Sequence, residues 1–314
     1  MGGSAQKRLK LSIANEQLSI KCSIFANVMT YEEFWHPLQT LYETGEAKAI
    51  ARTVLEVCFN LTMTDILCGK VTQLSANDQN KLKEILQCLL TGEPVQYVLG
   101  EADFGGISFH VEPSVLIPRP ETYELCQWVL EESEKWKEEK RNASFLDIGT
   151  GSGCIAITLA LGIPEAHMTA WDISDKALQI AAENAKRTNV NVSFEKVDVL
   201  NTPLLYREGL GVSLDIIVSN PPYILNKERA GMERNVLAFE PHQALFVPDD
   251  DPLLFYRAIA HYAAKALKPD GKLFFEINPL CVEEMKVMLQ QEGFRHTEIK
   301  EDQFGKQRFT KSWL

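Results

Sequence analysis

Ala143-Ser-Phe-Leu-Asp147-Ile-Gly149-Thr150-Gly151-Ser152-Gly153, running directly into Cys-Ile-Ala-Ile-Thr-Leu-Ala-Leu-Gly162, is the stretch on which the reading of this chain turns. "ASFLDIG" is short and apolar, as a buried strand would be. Glycines then fall at alternate positions and a helical run begins at once. Glycine lets the backbone turn sharply and approach a ligand closely, and a helix starting there aims its free N–H groups over the strand end. The spacing is G-x-G-x-G, not the dinucleotide pattern G-x-G-x-x-G. Taken alone, such a turn fits tight packing as well as nucleotide binding. Gly149, Thr150, Gly151, Ser152 and Gly153 are therefore candidate cofactor contacts that need support from elsewhere.

Strand and helix patterns alternate on both sides of this turn. "ETYELCQWVLEESEKWKEEK" reads as a helix with a solvated charged tail, "HMTAWDI" as a strand, "DKALQIAAENAKRT" as a helix and "VSFEKVDV" as a strand. Then come the strand "LDIIVSN", a helix over 252–267, the strand "GKLFFEI", a helix over 282–291 and two closing strands. Repeated β-α units predict an α/β fold with a mostly parallel, doubly wound sheet. Ligands of such sheets bind at the carboxyl ends of the strands, near the point where strand order reverses.

Three features sit at predicted strand ends. Asp172 lies 19 residues beyond Gly153 and closes the second strand, where a carboxylate can accept hydrogen bonds from both hydroxyls of a ribose. Asp198 closes the third and can accept from an adenine amino group, with Val199 covering the ring face. The fourth strand ends in Asn220-Pro221-Pro222-Tyr223. Two prolines exclude strand pairing and hold an extended backbone, so an amide side chain and an aromatic ring are fixed in place. A stiff loop is the plainer reading of that motif in isolation.

Upstream, residues 30–90 are patterned as helices without a catalytic cluster. Gly45 is a candidate helix C-cap, Ile50, Val54 and Cys58 form one stripe, and Ser75 followed by Asp78 reads as a helix start. "YVLGEADFGGISFHVEPSVLIP" alternates apolar residues around Gly105-Gly106, a hairpin signal, before prolines 113, 118 and 120 end the strands. The predicted organisation is a leader at 1–28, a helical domain at 29–91 for partner or substrate recognition or for a lid, a hairpin connector at 92–118 and the α/β domain at 119–314. The leader carries Lys7, Arg8, Lys10 and Lys21 against Glu16 but no apolar core long enough for a secretory signal.

Bulk properties narrow the function. The 314 residues suit about two domains, and 45% hydrophobic with 24% charged residues is ordinary for a globular protein. The net charge of −11 speaks against a general affinity for nucleic acid, and no window approaches a membrane span. Seven cysteines without a C-x-x-C pair fit a reducing cytoplasm, and the six histidines show no metal-ligand spacing.

The order DIGTGSG, WDIS, NPPY resembles the class I S-adenosylmethionine-dependent methyltransferases that modify planar nitrogens. "GEPVQYVLGEADFGG", "VLIPRPET" and "EPHQALF" (Glu240 to Phe246) extend the likeness to the peptide chain release factor N5-glutamine methyltransferases, the HemK/PrmC family, over roughly Met29 to the C-terminus. The resemblance implies a Rossmann-like methyltransferase domain that uses S-adenosyl-L-methionine and yields S-adenosyl-L-homocysteine. Its substrate would be the glutamine of the Gly-Gly-Gln motif in class I release factors. It implies that the Asn220 side-chain oxygen and the Pro221 carbonyl hold the amide nitrogen, that Pro222 keeps the loop rigid, and that Tyr223 stacks on the amide. It further implies a cytoplasmic monomer that needs no metal, membrane or direct nucleic-acid contact. Arg119, Glu121 and Thr122, in the segment shared with the family, would line the cofactor side. Glu276, read from its place at the end of "GKLFFEI", is a strand-end carboxylate that would border the site. Tyr123 stands where the family usually has an acidic residue, which leaves its role open. His242 reads as a hydrogen-bonded loop residue, and Trp171 and Phe104 as core. Competing readings are a ribosomal protein glutamine methyltransferase, an N6-adenine methyltransferase acting on DNA or rRNA, and a non-catalytic cofactor-binding module.

Overall fold

The computed structural model describes residues 28–138, 142–201 and 213–314, so all but the last residue of the expected leader lies outside the described residues. The chain divides into two compact units, 1–99 and 100–314.

The first unit is helical: α1 Tyr31–Trp35, α2 Thr44–Phe59, α3 Met63–Leu67, α4 Ala76–Leu89 and α5 Val95–Leu99. A capping box opens α1, with Thr30 Oγ1 accepting from Glu33 N at 3.1 Å and Glu33 Oε2 accepting from Thr30 N at 2.9 Å. Pro37 has no N–H to continue the α-helical ladder, and the chain tightens into a 3₁₀ turn over His36–Thr40. Gly45, expected as a helix C-cap, does not cap a helix. The 3₁₀ turn already ends at Leu41, so Gly45 falls inside the first turn of α2. That helix ends instead at Asn60, which takes the left-handed conformation with φ of 52°. Ser75 does start α4, accepting from Asp78 N at 3.2 Å. Phe34, Leu38, Ala51, Val54, Leu55, Leu82 and Leu89 are wholly buried together. Buried Gln79 joins the start of the described chain to this core: its Oε1 accepts from Met29 N at 2.8 Å and its Nε2 donates to Val71 O at 2.7 Å.

The second unit begins with a hairpin, β1 Glu101–Phe104 and β2 Ile107–His110, joined by Gly105 and Gly106 at φ of 63° and 84°. Positive φ at both positions is the type I′ geometry whose twist matches the flanking strands. Val95–Leu99, inside the stretch read as connector, is helix rather than strand.

The main sheet has seven strands in the order β10-β11-β9-β6-β3-β4-β5. These are β3 Ser144–Ile148, β4 His167–Asp172, β5 Val192–Lys196, β6 Leu214–Ser219, β9 Leu267–Glu276, β10 His296–Glu301 and β11 Gln307–Trp313. The first five pair in parallel, and β11 and β10 add an antiparallel edge. Side chains alternate between two cores, as the period of a strand requires. Phe145, Val218 and Phe274 join α6 Pro120–Glu138 and α7 Cys154–Gly162 on one face. Leu146, Ile217 and Phe275 join α9 Leu254–Ala266 and α10 Val282–Gln291 on the other. The helix α8 Asp175–Arg187 adds Ala185 to the first face. Chain order runs outward from β3 to β5 and then returns to β6, so the switch point lies between β3 and β6. The loops leaving those two strands are the glycine turn and Asn220-Pro-Pro-Tyr223. This is the doubly wound, Rossmann-like sheet that the β-α alternation predicts.

Candidate active site

Backbone geometry builds the first half of the site. Gly149 N and Thr150 N both donate to Trp171 O at 2.9 Å, fastening the glycine turn to the end of β4. At Gly153 the chain enters α7 at φ of 82°, and a Cβ there would come within 3.0 Å of the Ala181 Cβ and 3.2 Å of its Cα on α8. Only glycine lets the two helices meet this closely. A Cβ on Gly149 or Gly151 would meet nothing within 4 Å, and both residues line an open cavity. Asp172 is half-buried and held at both oxygens: Oδ2 accepts from Gly151 N at 2.9 Å and Oδ1 from Ser174 N at 2.8 Å. Burial raises its carboxyl, and those backbone donors oppose the rise. Asp198 Oδ1 accepts from Leu200 N at 2.9 Å, which fixes the turn after β5.

Beneath the turn, Asp147 is fully buried and accepts from Thr150 Oγ1 at 2.6 Å. Burial without a cationic partner pushes its carboxyl up to about 7.

Side chains from distant parts of the chain build the second half. Ser219 Oγ donates to Ile148 O at 2.6 Å and locks the end of β6 against β3. Asn220 follows, and its Nδ2 donates to Thr122 Oγ1 at 3.0 Å. Thr122 in turn donates to Glu276 Oε2 at 2.7 Å, and the Tyr223 hydroxyl donates to Glu276 Oε1 at 2.9 Å. Asn278 Nδ2 donates to the Tyr223 carbonyl at 3.1 Å. Burial, then the neighbouring Glu276 carboxylate, pushes the Tyr223 phenol well above its usual range, so it is a hydrogen-bond donor at every working pH. With its amide nitrogen committed to Thr122, Asn220 turns its oxygen, a hydrogen-bond acceptor, toward the other side.

The cavity, of about 270 Å³, runs between these halves. It is lined by Gly149, Gly151, Asp172, Asp198, Val199, Asn220, Pro221 and Pro222, so eight expected residues share one space. Phe255 and Ile259 supply apolar walls that no motif announces, and Val115, which opens "VLIPRPET", adds a third. The other expected residues lie elsewhere. Thr150 and Ser152 are buried beneath the turn, Gly153 packs on α8, and the Tyr223 hydroxyl is bonded to Glu276.

Arg119, Glu121 and Thr122, expected along the cofactor side, are not part of this lining. Arg119 forms an ion pair with Glu240, which is 4% exposed and whose other oxygen accepts from Ile117 N at 3.2 Å. "IPRPET" and "EPHQALF" are thereby bonded to each other across the chain. A two-residue parallel pairing, Ile224–Leu225 with Phe246–Val247, continues that join beside Tyr223.

Tyr123 has a definite place. Its ring sits edge-on to Phe104 at 5.4 Å and fills the space where a Gly105 Cβ would be, so it clamps the hairpin to α6. His242 Nε2 is 2.8 Å from Leu237 O, and Trp171 and Phe104 are buried. Among the described residues no group of three or more His, Cys, Asp or Glu is placed to hold a metal ion, and no helix is long and apolar enough to cross a membrane.

Comparison with known proteins agrees with this geometry. A methyltransferase-domain family matches residues 139–303, and a PrmC N-terminal-domain family matches residues 38–100. The release factor glutamine methyltransferase of Bacteroides thetaiotaomicron is 44% identical over 86% of this chain and 94% of its own length. The enzyme of the same name from Flavobacterium psychrophilum is 40% identical over 89% and 96%. That from Streptococcus pneumoniae is 38% identical over 86% and 93%. Among solved structures, the catalytic domain of hMettl16 in complex with the MAT2A 3′UTR hairpin 1 shares the fold at a TM-score of 0.51 and 20% identity, over 70% of this chain and 78% of that one. The chain belongs to the release factor glutamine methyltransferase family.

Proposed function

We propose that the protein transfers a methyl group from S-adenosyl-L-methionine to the side-chain amide nitrogen (N5) of the Gly-Gly-Gln glutamine in class I peptide chain release factors. The observation that carries this reading is the Asn220 side chain, bonded through its nitrogen to Thr122 and facing a cavity that Asp172 and the glycine turn share.

The cavity residues suit a nucleoside-containing sulfonium. Side-chain-free Gly149 and Gly151 leave room along one wall, and Asp172 keeps acceptor capacity for ribose hydroxyls beyond its two backbone bonds. Asp198 and Val199 serve the adenine, one as acceptor and the other as an apolar cover. S-adenosyl-L-methionine, when bound, supplies an electrophilic methyl on sulfur and leaves as S-adenosyl-L-homocysteine.

The protein's task is then to manage a poor nucleophile. An amide lone pair is delocalised into its carbonyl, so position and environment must do what basicity does not. Asn220 Oδ1 and the Pro221 carbonyl accept the two N–H hydrogens and fix the nitrogen, with its π-face turned toward the cavity. The ring constraints of Pro221 and Pro222 keep the acceptors still, and Tyr223 covers the flat amide against water. The N-terminal helical unit is assigned to recognition of the release factor, and the reaction to the cytoplasm.

A competition assay with labelled cofactor tests the reading. Release factor, ribosomal proteins and rRNA are offered together. Label is expected on the release factor; label mainly in RNA or in a ribosomal protein overturns the assignment.

A further inference from the structure

Thr122, Glu276 and Arg308 form a hydrogen-bond chain around Asn220 whose donor directions are dictated by chemistry. Arg308 has only donors, and its Nη1 lies 3.5 Å from the Tyr223 hydroxyl. The Tyr223 oxygen therefore accepts from that side and its hydrogen goes to Glu276 Oε1, at 2.9 Å. Burial raises the Glu276 carboxyl, and the Thr122 and Tyr223 hydroxyls and the Arg308 charge act against that rise by favouring the carboxylate; the Thr122 hydroxyl, 2.7 Å from Oε2, donates to it as well. Thr122 Oγ1 has then used its hydrogen and can only accept, and its remaining neighbour in the chain is Asn220 Nδ2 at 3.0 Å. Each step leaves the next a single choice. The outcome is that Asn220 presents oxygen, not nitrogen, to the cavity.

The chain is built for rigidity. Thr122 is 3% exposed and Glu276 is 2% exposed, so water does not compete for their bonds. The Glu276 backbone carbonyl accepts from the Tyr256 hydroxyl at 2.9 Å, which anchors the strand end itself. Arg308 is held from behind by Asp302, Nε to Oδ2 at 2.8 Å.

We propose that Glu276 and Thr122 are positioning residues that set the polarity of the site: the Glu276 carboxylate, accepting from Thr122, fixes Asn220 with its oxygen toward the substrate. The site then offers acceptors alone and selects a primary amide nitrogen, which brings two hydrogens, over a carbonyl or carboxylate oxygen, which brings none. Reversing one link reverses the whole chain. A proton donor at the Oε2 position of Glu276 would turn the Thr122 hydroxyl toward Asn220 and leave the Asn220 nitrogen facing the substrate N–H groups. This inference rests on the proposed glutamine chemistry for its consequence, but not for the orientation of Asn220.

Glu276→Gln tests it, because the amide keeps the shape of the carboxylate while placing a donor against Thr122. Thr122→Val removes the link, and Thr122→Ser retains it. In the free parent enzyme, the Asn220 Nδ2 hydrogens should give a nuclear Overhauser contact to the Thr122 methyl group, and Glu276→Gln should abolish it. Placing the reacting nitrogen wrongly costs roughly 100-fold. With release factor as substrate, kcat should fall by about that factor in Glu276→Gln and Thr122→Val. Cofactor Kd should stay within about 3-fold, and Thr122→Ser should keep at least a third of the parent kcat, as losses confined to transition-state positioning require. Retention of the contact in Glu276→Gln, or kcat in that variant close to the parent value, overturns the proposal. If Glu276→Gln does not fold, the Thr122 pair decides, and equal kcat in Thr122→Val and Thr122→Ser overturns it. A parent enzyme with the expected contact and no activity on release factors would refute the functional reading and leave the polarity of the site standing.

Discussion

The two ends of the cavity are made in different ways. At the glycine end the contacts are local: backbone N–H groups of the turn donate to the Trp171 carbonyl and to the Asp172 carboxylate at neighbouring strand ends. At the Asn220 end they are remote. Asn220 reaches Thr122 across 98 residues, Thr122 reaches Glu276 across 154, and Arg119 reaches Glu240 across 121. A binding cradle needs only shape and N–H groups, which a short turn supplies. A reacting atom needs an oriented partner, and a single side chain on a loop is not oriented until others hold it. The comparison teaches that affinity and turnover should separate when the two ends are perturbed one at a time.

The largest effect belongs to the remote end. Asn220→Ala should lower kcat by about 10³-fold or more, in the range seen when one preorganised polar contact is removed, with little change in cofactor Kd by calorimetry. Loss of cofactor binding with the fold intact would contradict the division. Asp172→Ala should show the reverse pattern, with cofactor affinity weakened about 100-fold and kcat at saturating cofactor largely kept, as expected for a hydrogen-bonding group serving binding alone.

A smaller effect comes from beneath the glycine turn. Asp147 has its folded pKa raised from the carboxylate range to about 7. A raised carboxyl contributes its full stability below the unfolded pKa of about 4 and loses it as pH rises to about 7. Asp147→Asn should therefore match the parent in stability at pH 4 and exceed it increasingly as pH rises toward 7. Calorimetric melting at a series of pH values checks this, and a difference that shrinks as pH rises would contradict the sign.

The smallest effect lies outside the cavity. Gly105→Ala places a side chain at positive φ and against the Tyr123 ring, so it should cost about 1 kcal/mol or somewhat more. Denaturant melts would show it, and Tyr123→Ala in the same chain should recover part of the loss.

The same contrast explains what the sequence could tell. The glycine turn, Asp172 and the NPPY loop announce themselves, because each is a run of residues whose backbone needs are visible in place. The sheet follows from the period-two and helical patterns around them. Glu276 is legible only as a strand-end carboxylate, and Thr122 only as a member of a segment that resembles a family, which places it on the cofactor side. Its actual partners are Glu276 and Asn220, because packing of α6 against β9 decides where a side chain on the first turn of α6 points. Tyr123 carries no role in the sequence because the hairpin it packs against reaches it only in the folded chain. Gly45 misled for a local reason: Pro37 had already ended the helix upstream.

A crystal structure of the enzyme with S-adenosyl-L-homocysteine and a Gly-Gly-Gln peptide tests the central claim most directly. The account predicts the glutamine amide nitrogen within about 3 Å of both Asn220 Oδ1 and the Pro221 carbonyl, the spacing of N–H···O hydrogen bonds, with Asn220 Nδ2 still on Thr122. A glutamine held by its carbonyl oxygen at Asn220, or bound away from that residue, would contradict it.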